Sequence, residues 1–151
     1  HNYDIIRYDD VLLMLAEAYI ELNQPALALP LINQIRARAA ASTGKLRKLD
    51  GTFASIYNTG QYLAAGWTQA YACTALQWER RLEFATEGER FFDLVRWGIA
   101  APTLNAYIAV EKTRRTFLST AVFTAGRDEY LPIPQSEITF TNGLYKQNPG
   151  Y

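Results

Sequence analysis

The sequence predicts a predominantly α-helical, all-α chain, and three observations carry that expectation. Apolar side chains recur at helical spacing over residues 7–41, the same spacing returns over 70–86, and Pro132 and Pro134 exclude helix from a turn-rich tail. The elements follow from their residues in order.

Residues 7–22 set Val11, Leu15, Ala18 and Leu22 at the spacing of a buried helical face. Asn23-Gln24-Pro25 interrupts the pattern and Leu27, Leu31, Ile35 and Ala39 resume it, with Pro25 suited to a first helical turn, where its missing N–H costs nothing. Pro30 lies deeper and is expected to start or kink the second helix. Leu12, Leu15, Ala16, Tyr19, Ala28 and Ile32 fall where a tetratricopeptide-like helical hairpin places its interlocking large and small residues, which assigns residues 1–41 to such a hairpin. The sequence holds no second copy. Since about three such units are needed to bury their faces, neighbours are expected in further sequence or in a partner.

Residues 42–71 read as a loop rich in Ser, Thr, Gly and Asn, with Phe53, Tyr57, Tyr62, Trp67 and Tyr71 spread through it. Residues 72–98 continue as helix to about 86, break at Gly88 and form a shorter helix ending near Gly98. In residues 99–151, Pro102 to Glu111 forms a short helix, and an extended tail with a turn at Asn148-Pro149-Gly150 wraps over the helices.

The run QWERRLEFATEGERFFDLVRWG, residues 77–98, places charges and large aromatics on the same surfaces, where a solvated helix would separate them. Ala75, Trp78, Leu82 and Ala85 make an apolar row, with Trp78 and Trp97 assigned to the core, while Glu79, Glu83 and Glu87 stand i, i+4 in a neighbouring row. Like charges so placed in water cost about 0.2–0.5 kcal/mol per pair. The acids are therefore expected to be at least partly buried against Arg80, Arg81, Arg90, Arg96 or the arginines of another helix.

Glu79-Arg80-Arg81-Leu82-Glu83-Phe84, Glu87-Gly88 and Arg90-Phe91-Phe92-Asp93-Leu94-Val95-Arg96-Trp97-Gly98 resemble the signature near the C-terminus of the SusD/RagB family of outer-membrane nutrient-binding lipoproteins. RYDDVLLMLAEAY from Arg7 to Tyr19, LINQIRARA from Leu31 to Ala39, YLPIPQSE from Tyr130 to Glu137 and QNPGY from Gln147 to Tyr151 match the family in the same order. The resemblance implies that residues 1–151 are the C-terminal part of a longer protein of this kind. It implies non-catalytic capture of a nutrient, often an oligosaccharide, at the bacterial cell surface, and its delivery to a SusC-like TonB-dependent transporter. It also implies outer-membrane localisation through a lipid anchor outside this chain. A tetratricopeptide-type protein-interaction scaffold without a transport role is the alternative.

Composition narrows the classes further. Fifteen basic residues balance fifteen acidic ones, leaving no basic excess for nucleic acid. No apolar run reaches the roughly 18 residues of a membrane span, and HNYDIIRYDD lacks the regions of a signal peptide. The single cysteine, Cys73, has no partner for a disulfide or a zinc site and reads as a small buried side chain.

No catalytic residue is expected: a glycosidase needs two carboxylates facing each other across a bond, whereas Glu79, Glu83 and Glu87 share one row. The only histidine is His1, and neither a GxSxG motif, a clustered metal-ligand set nor a phosphate-binding glycine loop is present, so no metal or cofactor is expected. Arg36 with Arg38 and Arg114 with Arg115 are expected to pair with local acids. Trp67, Tyr62 and Tyr57, in that order, are the candidate ligand contacts, because loops on a rigid scaffold can present aromatic faces to sugar rings.

Overall fold

The computed structural model describes residues 5–151. The chain forms two compact units, His1–Ala85 and Thr86–Tyr151, so the boundary falls inside the charged and aromatic run. Among the described residues every regular element is helical, as the periodicity predicts, and the only β pairing is an isolated antiparallel bridge between Arg47 and Phe53.

The first unit is built from α1 (Tyr8–Glu21), α2 (Pro25–Ser42) and α3 (Gln69–Glu83). Asp9 and Asp10 place negative charge in the first turn of α1, where the helix dipole favours it. The helix ends as Asn23 turns left-handed at φ 56° and the Gln24 amide donates to the Tyr19 carbonyl at 2.8 Å. Pro25 then opens α2. Pro30, expected to start or kink this helix, does not start it: it sits in the second turn and forfeits one intrahelical bond, to the carbonyl of Ala26.

The core joins Leu12, Leu13, Ala16 and Ile20 of α1 to Ala28, Ile32 and Ile35 of α2, Ala72 and Leu76 of α3, and Phe84. Of the predicted interlocking set, Leu12, Ala16, Ala28 and Ile32 are buried and Tyr19 is half-buried, but Leu15 is exposed. The row Val11, Leu15, Ala18, Leu22 faces outward instead. Both rows of α1 are apolar, and packing selects the one containing Ala16, which is fully buried in the same core as Ala28 of α2, small side chains that suit close helix approach.

α3 is capped by Thr68, whose hydroxyl oxygen accepts from the Tyr71 amide at 3.2 Å. Its inward face is Ala72, Ala75, Leu76, Glu79 and Arg80. The expected apolar row is thereby corrected: Ala75 is buried, but Trp78 is 51% exposed and Leu82 62%. The helix stops at Glu83, and Thr86 takes φ 73°, so Glu87 leaves the carboxylate row and is exposed.

The second unit holds α4 (Arg90–Arg96), α5 (Ala100–Glu111) and α6 (Gln135–Phe140). Gly88 and Gly98 flank α4 with φ 94° and 69°, a left-handed backbone that side chains resist. α6 corrects the expectation of a helix-free tail, for Pro134 is its N-cap and needs no donor there. Trp97 is half-buried, with the Arg96 guanidinium 4.7 Å from its ring centroid.

The strandless tail is held by carboxamide side chains that bridge both backbone groups of one residue. Asn105 receives the Phe123 amide and donates to its carbonyl, each at 2.9 Å. Gln147 does the same to Ile133 at 2.7 and 2.9 Å. No helix among the described residues is long and apolar enough to cross a membrane.

Candidate functional site

The carboxylates of α3 meet arginines of α2 and the arginine that precedes α1. Glu79 accepts from Arg36 Nη1 at 2.8 Å, with side chains 6% and 15% exposed. Glu83 accepts from Arg7 at 2.8 Å and from Arg38 at 2.6 Å, and Asp9 pairs with Arg7 beside them. Arg7 also donates to the Glu83 carbonyl at 2.9 Å, placing a cation at the C-terminal end of α3. Arg80, buried, reaches Asp10 of α1 at 2.7 Å. The predicted pairing of acids with arginines thus holds for Glu79 and Glu83. Their partners are Arg36 and Arg38 of α2 and Arg7 before α1, all distant in sequence. In the second unit Arg114 and Arg115 pair with Glu111, so the expected local pairing holds for them, whereas Arg36 and Arg38 pair with acids far along the chain.

The loop between α2 and α3 is shaped by contacts reaching back to α2. Asn33 bridges Tyr62, taking its amide at 2.8 Å and donating to its carbonyl at 2.9 Å. This seats the Tyr62 ring beneath the Arg36 guanidinium, 4.6 Å from the ring centroid. Trp67 packs beside it at 5.3 Å, and Tyr71 closes an edge-on cluster at 5.9 and 5.5 Å from the two. The Trp67 indole N–H donates to the Pro25 carbonyl at 2.8 Å, and both Tyr62 and Trp67 pack against the core. Burial raises the Tyr62 phenol above its ordinary value, opposed by the Arg36 charge. These two predicted ligand residues therefore spend part of their ring surface on the scaffold.

Tyr57 lies elsewhere, in a cleft of about 550 Å³ lined by Thr43, Lys48, Phe53, Ser55, Ile56 and Tyr57. The cleft wall is a small pinned turn. The Lys48 amide donates to Thr52 at 2.8 Å, the Ala54 amide to Leu46 at 3.1 Å, and Asp50 accepts from both the amide and the hydroxyl of Thr52. Those bonds, the hydroxyl first, hold the Asp50 carboxyl below its ordinary value. Arg47 lays its guanidinium 4.2 Å from the Phe53 ring centroid and donates to the Gly44 and Gly51 carbonyls. The loop aromatics were legible in the sequence as candidate contacts. Lys48 was not, since nothing in the spacing says that a bridge from Arg47 to Phe53 folds it toward Tyr57.

Among the described residues no cluster of three or more His, Cys, Asp or Glu could hold a metal ion. Burial raises the Cys73 thiol above its ordinary value, with Glu21 and Glu17 adding to the shift, which disfavours the thiolate. The cleft combines ring faces, hydroxyls and an ammonium, a set that recognises polar ligands with apolar faces.

Comparison with known proteins gives a consistent result. The family model of the SusD family matches residues 1–151. A SusD-like protein of Formosa agariphila is 27% identical over 99% of this chain and 26% of its own length. A second one is 37% identical over 65% of this chain and 16% of its own. The chain thus spans about a quarter or less of these relatives. The crystal structure of a SusD homolog from Bacteroides thetaiotaomicron superposes with a TM-score of 0.74 at 27% identity, over 99% of this chain and 27% of that one. A SusD superfamily protein from Bacteroides vulgatus gives 0.67 at 33% identity, over 97% of this chain and 27% of that one.

Proposed function

The chain belongs to the SusD family, and from that membership we propose that it is part of a non-catalytic protein that binds a glycan nutrient at the bacterial cell surface. The observation that carries the reading is the family match across residues 1–151. Delivery of the ligand to a SusC-like TonB-dependent transporter and attachment to the outer membrane by a lipid anchor outside this chain belong to the same proposal.

Within the chain the ligand surface is the loop between α2 and α3, with Trp67, Tyr62 and Tyr57 as its aromatic contacts. Tyr57 is the most available, because the other two rings also pack on the core. Sugars present apolar ring faces edged by hydroxyls, which suit an aromatic ring beside the Thr43 and Ser55 hydroxyls. Thr43 already donates its proton to the Ala40 carbonyl at 2.9 Å, so its oxygen is left to accept from a sugar hydroxyl.

A glycan array probed with the full-length protein, followed by titration calorimetry on Tyr57→Ala, tests the reading. Tyr57→Ala should weaken binding about tenfold, near 1.4 kcal/mol; no binding to any glycan would overturn the reading. Release of reducing ends by the purified protein would overturn its non-catalytic part. A scaffold that binds protein rather than glycan is the second reading, favoured by the exposed Val11, Leu15 and Leu22 on α1 and its end. Recovery of a TonB-dependent transporter with the full-length protein from outer membranes would decide for the first.

A further inference from the structure

The charge of the cleft narrows the class of glycan. Residues 43–68 carry Lys45, Arg47 and Lys48 against Asp50 alone, within a chain whose charges balance as a whole. Two of the charged groups in this loop are already committed. Arg47 spends its N–H groups on the Gly44 and Gly51 carbonyls and its face on Phe53. Asp50 is held by Thr52. Lys48 differs: it lines the cleft, its backbone is pinned through Thr52 and Gly51, and its ammonium has no partner among the described residues.

With Lys48 lining it alongside Phe53, Tyr57, Thr43 and Ser55, the cleft has both a surface for a sugar ring and a positive charge within reach. No carboxylate lines the cleft to neutralise it. We propose that this cleft binds an anionic sugar residue, bearing a carboxylate or a sulfate ester, with its charged group on Lys48 and its ring against Tyr57. This rests on the glycan-binding reading above and specifies its ligand class. Lysine acts as a compact point charge without the planar fork of arginine, so the site selects for negative charge and accepts either anion.

The experiment is titration calorimetry on the full-length protein with three probes: a galacturonic acid trisaccharide, its carboxyl-reduced neutral counterpart, and a sulfated galactan oligosaccharide. At least one anionic probe should bind about tenfold or more tightly than the neutral one, and its affinity should fall with added salt. A hydrogen bond to a charged group corresponds to roughly a ten- to hundredfold change in affinity. Lys48→Gln should therefore weaken the preferred anionic probe by that range, and Lys48→Glu should weaken it further. Both should weaken the neutral probe far less than the anionic one. Lys45→Gln, outside the cleft, should leave all three unchanged, and thermal melts of the variants establish that they fold. Equal affinity for charged and neutral probes, or an anionic affinity insensitive to Lys48→Gln, would overturn the charge selectivity while leaving glycan binding standing. Failure of every charged and neutral glycan to bind would overturn both.

Discussion

Glu79 should be the carboxylate whose removal costs the most. Its side chain and that of Arg36 are 6% and 15% exposed at 2.8 Å, the geometry of a pair largely withdrawn from water. Removing one member of a buried pair costs about 3–5 kcal/mol, because the other charge is left uncompensated. Arg36 keeps its bond to the Gly60 carbonyl and its contact with Tyr62, which places Glu79→Ala near the lower end, about 3 kcal/mol. Glu83→Ala should cost less, about 1.5–3 kcal/mol, since Arg38 is 52% exposed and Asp9 remains beside both cations. Exposed Glu87 should cost at most about 1 kcal/mol. Urea unfolding of the full-length protein, followed by tryptophan fluorescence, checks the order. Since the midpoint shift is the lost stability divided by the slope, Glu79→Ala should lower the midpoint the most of the three. Replacing both partners, Glu79→Leu with Arg36→Met, should recover most of that loss. Equal effects at all three glutamates, or an unchanged midpoint for Glu79→Ala, would refute the assignment of a buried pair.

Trp67→Ala should lower the melting temperature more than Trp78→Ala, because Trp67 loses core contact and its bond to Pro25 whereas Trp78 is half in water; scanning calorimetry on the two variants measures the order. Asn33→Asp should loosen the loop, since a carboxylate cannot donate to the Tyr62 carbonyl, and faster amide exchange at Tyr62 with little change in the helices would report it. Asp50 has a lowered folded-state value, so its stabilisation of the turn is present above the unfolded value, near 3.8, and is lost as pH falls through the lowered one. An NMR titration should show the Thr52 amide shift collapsing only below pH 3.8, and Thr52→Val should move that transition upward.

The hairpin was legible in the sequence because close helix packing needs small residues at fixed places, and Ala16 and Ala28 stand there. The inward row of α1 was not, because Val11 and Leu15 are as apolar as Leu12 and Ile20. The charged run was read correctly as a pairing problem, but its answer lies in long-range partners that no local spacing encodes, Arg36 and Arg38 of α2 and Arg7 before α1. Glu87 was misplaced because the chain turns at Thr86, a residue type with no preference for positive φ. The loop aromatics were visible as candidates. Their division into a scaffold-packed pair, Tyr62 and Trp67, and the cleft residue Tyr57 depends on hydrogen bonds from Asn33 and to Pro25.

The three bridging carboxamides, Asn33 on Tyr62, Asn105 on Phe123 and Gln147 on Ile133, have a consequence for how this scaffold can vary. Each grips the amide and carbonyl of its target, groups that nearly every amino acid supplies in the same geometry, and takes nothing from the target's side chain. Such anchorage is sequence-blind. The grip itself survives exchange of the target's side chain, proline at the gripped position excepted, so that where the ring does not also pack on the core, as Tyr62 does, the side chain is open to change. A chain built this way can change what its loops display without redesigning the helices that carry them.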